Sequence, residues 1–175
     1  MRAFIAIDLP KGLKDYLYDL ELKVKEAKIT WVSKKNLHLT LKFLGEISES
    51  QLEEIKKLKT KQKKFSLSLS HIGFFPNEKA PRVFWISLDP EDKIITLQQE
   101  IDQHLLEKFP SEQKFQSHIT LGRIKSIRRK KDFFESVNNI ILEKNSFKVD
   151  SFQIIISTLT KNGPIYETVG KIDLS

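Results

Sequence analysis

The chain has 175 residues, 39% of them hydrophobic, which is enough to bury one good core; nothing in the sequence asks for two independent domains. Thirty Lys and Arg against 23 Asp and Glu leave a formal charge of +7 and a pI near 9.4, a balance that favours polyanionic ligands without identifying one. The absence of cysteine excludes disulfides, thiol nucleophiles and thiolate metal or iron–sulfur sites, so a catalytic centre must be built from His, carboxylate, hydroxyl or amine.

Arg2 to Leu9 reads as a buried strand stopped by Pro10. It is too short, and too interrupted by Asp8, for a secretory signal, and no later run approaches membrane-spanning length. The expectation is a cytoplasmic protein with no membrane contact. Leu13, Tyr16, Leu17, Leu20 and Val24 then follow a helical period opposite Lys11, Lys14, Glu21 and Lys25. Trp31 and Val32 lead into a second strand, Leu37 to Leu44, closed by Gly45. Ser48 is placed to cap the next helix, whose acidic first turn suits the helix dipole and whose buried positions are Leu52, Ile55 and Leu58.

Phe65 to Ser70 alternates strictly and should be a half-buried strand, with Arg82 to Leu88 pairing near it after the Pro76-to-Pro81 loop. A helix from about Glu91 to Lys108 precedes a strand from Phe115 to Ile124. A short helix around Lys131 to Ile141 and two strands, Phe147 to Leu159 and Tyr166 to Ile172, complete the order, with Asn162-Gly163-Pro164 marking the last turn.

Two copies of one short pattern stand out against a total of four histidines: His38-Leu39-Thr40-Leu41 and His118-Ile119-Thr120-Leu121. Strand side chains two apart share a face, so each imidazole projects beside its hydroxyl while the aliphatic residues enter the core. Either copy alone is an ordinary half-buried strand; two matching copies, each in a strand-rich region flanked by helices, point to chemistry and to two related lobes in one packed body. Reaction at phosphorus proceeds in line, with entering and leaving oxygens on opposite sides, which calls for two facing proton handlers. One neutral imidazole can take a proton and one imidazolium can give one near neutral pH. Thr40 and Thr120 are suited to donate to the non-bridging oxygens. By alternation Lys42 continues the first polar face, whereas Arg123 reaches the second only if Gly122 permits a bulge. A metal centre is poorly served, because His-x-Thr supplies one ligand where His-x-His supplies two.

The chain resembles the 2H phosphoesterase superfamily, and most closely its RNA 2′,3′-cyclic phosphodiesterase branch, also known as 2′-5′ RNA ligases. The likeness covers Arg2 to Pro10, Leu37 to Glu46, Phe75-Pro76, Pro81 to Trp85, the second motif through Arg123, and Ser157-Thr158-Leu159 with Gly163 and Tyr166. It implies a bilobal α+β fold over residues 1–175, with two antiparallel sheets forming a central groove, helices packed outside and one motif on each side. It further implies a cofactor-free, metal-independent hydrolase that opens a 2′,3′-cyclic phosphate to a 2′-phosphomonoester. His38 is then the donor to the leaving 3′-oxygen, His118 the base toward water, and Ser157 a lining hydroxyl. The reverse reaction would join a cyclic-phosphate end to a 5′-hydroxyl end. The implied partner is RNA with a 2′,3′-cyclic end, such as a tRNA fragment, met by a monomer. Ser117 departs from the proline usual before the second motif, which concerns strand entry. Two alternatives remain open: a phosphodiesterase for small cyclic nucleotides, and a non-catalytic RNA-end binder using the basic groove.

His71 and His104 lack the following Thr and read as structural or solvent-exposed, and Trp31, Phe75, Phe84 and Trp85 each read as core. The run Lys125, Arg128, Arg129, Lys130 and Lys131 reads equally as an RNA guide and as a solvated helix start.

Overall fold

In the computed structural model, which describes residues 1–111 and 114–175, the Ile-rich opening forms β1 (Arg2–Asp8), and Pro10 turns the chain into α1 (Lys11–Glu21). α1 buries Leu13, Leu17 and Leu20, the residues its helical period selects. β2 (Ala27–Trp31) and a 3-10 turn at Lys34–Asn36 lead to β3 (His38–Glu46). α2 (Glu49–Ile55) opens on a reciprocal cap: Ser48 Oγ accepts from the Gln51 amide at 3.1 Å, and Gln51 Oε1 accepts from the Ser48 amide at 2.9 Å.

After β4 (Phe65–Phe75) and β5 (Val83–Asp89) come α3 (Glu91–Leu105), β6 (Ile119–Ile127) and α4 (Lys130–Asn138). β7 (Phe147–Val149), β8 (Ser151–Thr160) and β9 (Gly163–Asp173) end the chain. Every ladder is antiparallel, along the path β7-β4-β5-β6-β3-β1-β8-β9, with β2 also pairing β6. The four helices cover one face, where residues such as Leu17, Ile55, Ile101 and Phe133 share a core with Leu39, Phe84 and Ile119. The result is an α+β half-barrel whose other face stays open.

Several elements differ from the sequence reading, among them β4, which runs to Phe75 rather than ending at Ser70. β2 has no counterpart in that reading: Ala27, Ile29 and Trp31 do alternate with Lys28 and Thr30, but over only five residues, and the apolar side is half-buried against β6 rather than enclosed. The strand expected from Phe147 to Leu159 breaks at Asp150: β7 pairs β4, whereas β8 pairs β1. One residue thus separates strands placed near opposite ends of the path, so the sheet must curl enough to bring those ends together. β6 begins at Ile119 rather than Phe115, after Ser117 donates its hydroxyl to Glu91 at 3.2 Å.

β3 and β6 lie side by side at the middle of the path, and their ladder has one register pair, Leu39↔Ile119. On the open face a second, smaller apolar cluster of Phe4, Ala6 and Ile155, with Tyr166 against it, floors the first lobe.

Candidate active site

Leu39 and Ile119 are both fully buried on the helix side, so the residues flanking each of them turn to the open face. In an antiparallel ladder centred on that pair, Thr120 lies across from His38 and His118 across from Thr40. The imidazoles therefore occupy one diagonal of a four-residue square and the hydroxyls the other. Diagonal neighbours across an antiparallel pair stand about 7–8 Å apart, which leaves an anion-sized gap between the rings. The charge of His118 is felt at His38.

Each ring is oriented by a carbonyl two residues back. His38 Nδ1 donates to Asn36 O at 2.6 Å, and His118 Nδ1 donates to Gln116 O at 2.8 Å. A carbonyl can only accept, so Nδ1 holds the proton in both neutral rings and Nε2 is the working nitrogen. The Thr40 hydroxyl lies 2.7 Å from His38 Nε2. Each ring is also boxed by two aromatics. Phe4 and Tyr166 stand 4.9 and 5.6 Å from His38, and Phe75 and Trp85 stand 4.9 and 6.2 Å from His118. Burial in this setting lowers the pKa of both imidazoles; the carbonyl bonds of Asn36 and Gln116 oppose it without cancelling it.

Beyond Thr40 and Thr120 the two strands do the same thing. β1 pairs Ile5 with Lys42 and Ala6 with Thr40, skipping Leu41; β5 pairs Phe84 with Gly122 and Trp85 with Thr120, skipping Leu121. Each bulge buries two successive residues and exposes the third. Alternation is reversed, and with it the expectation for Lys42. Its side chain is 2% exposed and points into the core, where the ammonium pairs with Asp102 of α3 and donates to Pro110 O at 3.3 Å. Lys42 does not line the groove. Burial alone would raise Asp102, but the Lys42 ammonium and the Ser111 hydroxyl outweigh it and hold the carboxyl below its ordinary range.

The same reversal brings Arg123 to the open face, exposed, with its charge felt at the Tyr166 hydroxyl. Phe43 takes the corresponding place on β3. It is 61% exposed, with its ring 6.2 Å from Phe4. Sequence reasoning passed over Phe43 because strict alternation places it in the core. Ser157 shares the open face with Ile155 and pairs Tyr166 across the β8–β9 ladder.

Of the aromatics read from sequence as core, Trp85 is buried and Trp31 and Phe84 pack on each other; half-buried Phe75, together with Trp85, also flanks His118. His71 stands 5.7 Å from Trp85 with Nδ1 2.7 Å from Ser87 Oγ, and His104 caps its own helix by donating to Glu100 O. The basic run is exposed, and Lys130 donates to Lys79 O at 2.8 Å. Among the described residues no group of three or more His, Asp or Glu is placed to hold a metal ion, and no helix is long and apolar enough to cross a membrane.

The family model described as LigT like phosphoesterase matches this chain twice, over residues 7–85 and 86–166. A Methanocaldococcus jannaschii protein named RNA 2′,3′-cyclic phosphodiesterase is 36% identical over 97% of this chain and 98% of its own length. A Thermotoga maritima protein of the same name is 35% identical over 97% and 93%. Among solved structures, TT0787 of Thermus thermophilus superposes with a TM-score of 0.81 at 28% identity, covering 99% of this chain and 98% of that one. Escherichia coli LigT complexed with phosphate gives 0.77 at 27% identity, covering 99% and 97%.

Proposed function

The chain belongs to the LigT-like phosphoesterase family, and from that premise we propose that it hydrolyses the 2′,3′-cyclic phosphate ends of RNA to 2′-phosphomonoesters by two-histidine acid–base catalysis. The observation that carries this reading is the diagonal His38/His118 pair across the Leu39↔Ile119 bridge. A phosphorus atom seated between the rings has one Nε2 on each side, as an in-line displacement needs. His118, as base, takes a proton from the attacking water. His38, as acid, gives its Nε2 proton to the departing 3′-oxygen. The hydroxyls of Thr40 and Thr120 and the guanidinium of Arg123 then donate to the non-bridging oxygens, where charge accumulates. Thr40, bonded to His38 Nε2 in the free protein, must turn to the phosphate as the proton leaves that nitrogen. Ser157 lines the same face beside Tyr166.

The names carried by the relatives support RNA as the substrate class, and the net charge of +7 suits a polyanion. With a 5′-hydroxyl in place of water at His118, the same opening of the cyclic phosphate forms a 2′-5′ linkage, the P–O3′ bond again breaking as His38 protonates the 3′-oxygen. The reading extends to a cytoplasmic monomer acting on ends such as those of tRNA fragments. The test is end-group analysis of a 2′,3′-cyclic-ended oligonucleotide incubated with the protein and a chelator. The expected product is a 2′-phosphate end; an unconverted cyclic end defeats the proposal.

A further inference from the structure

The hydrolysis assigns sides to the groove. The departing 3′-oxygen stays on the terminal ribose, so the nucleoside carrying the cyclic phosphate must lie on the His38 side. A cavity of about 150 Å³ opens there, roughly ten times the space one water needs; it is bordered by His38 and Asp8 on one side and by Gln153, Tyr166 and Thr168 on the other. That is room for one planar group. Ala6, next to Asp8 on the same face of β1, adds no bulk to the floor.

The polar wall is preset. Thr168 Oγ1 donates to Gln153 Oε1 at 3.0 Å, and this bond holds the plane of the carboxamide. Both Nε2 protons and a second lone pair on Oε1 remain for a ligand. A carboxamide held this way presents one donor beside one acceptor, so a nucleobase edge with its acceptor and donor in the matching order meets it in two hydrogen bonds, whereas the opposite order sets donor against donor. The pocket is also lined by Tyr166 and the exposed Ile165, whose apolar surfaces suit a base's faces. Lys14, which also lines the pocket, is committed to Asp8 at 2.9 Å and to Lys35 O at 3.1 Å.

We infer that this pocket receives the base of the terminal nucleotide and that Gln153, positioned by Thr168, is a specificity-determining residue reading the base's hydrogen-bonding edge. The inference rests on the hydrolysis proposed above, with His38 as the acid. Its test is kcat and KM of the protein, Gln153→Leu and Thr168→Val on the four nucleoside 2′,3′-cyclic phosphates. The wild-type protein is expected to discriminate among the bases by about tenfold or more in kcat/KM, chiefly through KM, as one bidentate contact provides. Gln153→Leu removes the contact and should compress that ratio; Thr168→Val frees the carboxamide to turn and should weaken the ratio without removing a base contact. Equal rates for all four bases in the wild-type protein, or discrimination that survives both substitutions, overturn the inference while leaving the hydrolase standing. No turnover of any of the four, together with an unconverted oligonucleotide end, removes the hydrolase reading itself.

Discussion

The two catalytic candidates differ from the other two histidines in what surrounds them rather than in their own chemistry. His104 is exposed on a helix and His71 bonds a serine, whereas His38 and His118 each have a carbonyl fixing Nδ1 and two aromatic rings packed beside the imidazole. Replacing either by Ala should lower kcat about 10²- to 10⁴-fold with an unchanged melting temperature; steady-state rates on a cyclic mononucleotide check this, and an unaffected rate removes that residue's role. Burial lowers both pKa values below the ordinary 6.5. Because catalysis needs one ring neutral and one charged, kcat/KM should peak on the acid side of pH 6.5 and fall as pH rises through the higher of the two, where the imidazolium is lost. A profile still rising above about pH 7 contradicts this. Lys42 belongs to stability instead. Lys42→Met leaves the Asp102 carboxylate without its partner in a largely closed setting and should cost about 3–5 kcal/mol, read by urea unfolding, with KM for the cyclic substrate unaltered.

At the scale of elements, the paired bulges in β3 and β6 decide which side chains face the groove. Each follows its motif by one residue and turns what would be a core position outward, giving the groove Arg123 from one strand and Phe43 from the other. Packing between β4 and β5 sets the second histidine's wall in a similar way. The indole of Trp85 lies across Gly73 so closely that a Cβ there would fall 2.3–2.7 Å from three ring atoms. Gly73→Ala should therefore displace Trp85 from beside His118 and cost about 1–3 kcal/mol by overpacking. The expected readout is a lower melting temperature together with a reduced kcat, and loss of neither would show that the ring has room to move.

The whole molecule carries an internal two-fold pattern that the doubled family match also reports. The unit β1-α1-β3-α2-β4 corresponds to β5-α3-β6-α4-β8, and the path β8-β1-β3-β6-β5-β4 reads the same from either end. The last strand of each unit pairs with the first strand of the other: β4 with β5, and β8 with β1. Neither half therefore holds its own sheet, and the only ladder joining the motif strands is the one that builds the site. We propose that the chain folds as one domain, so that unfolding in urea gives a single transition, superimposable by circular dichroism and Trp fluorescence. Separate transitions for the environments of Trp31 and Trp85, both in the second lobe, and of the total secondary structure would instead mean that the lobes unfold independently.

The residues by themselves indicated most elements, Ser48 as a helix cap and the two His-x-Thr pairs as one candidate site, because hydrophobic period and the repeated spacing are local properties of the chain. The fates of Lys42, Arg123 and Phe43 were decided only by tertiary structure. A bulge depends on which residues the neighbouring strand offers as partners, and β1 and β5 are remote in sequence from the motifs they pair with. The same holds for the break at Asp150, where one apolar run serves two ladders, and for the walls around each imidazole, which come from strands the motif does not contain. Local pattern fixes which face a side chain prefers; the partner strand fixes the register, and register decides what that face meets.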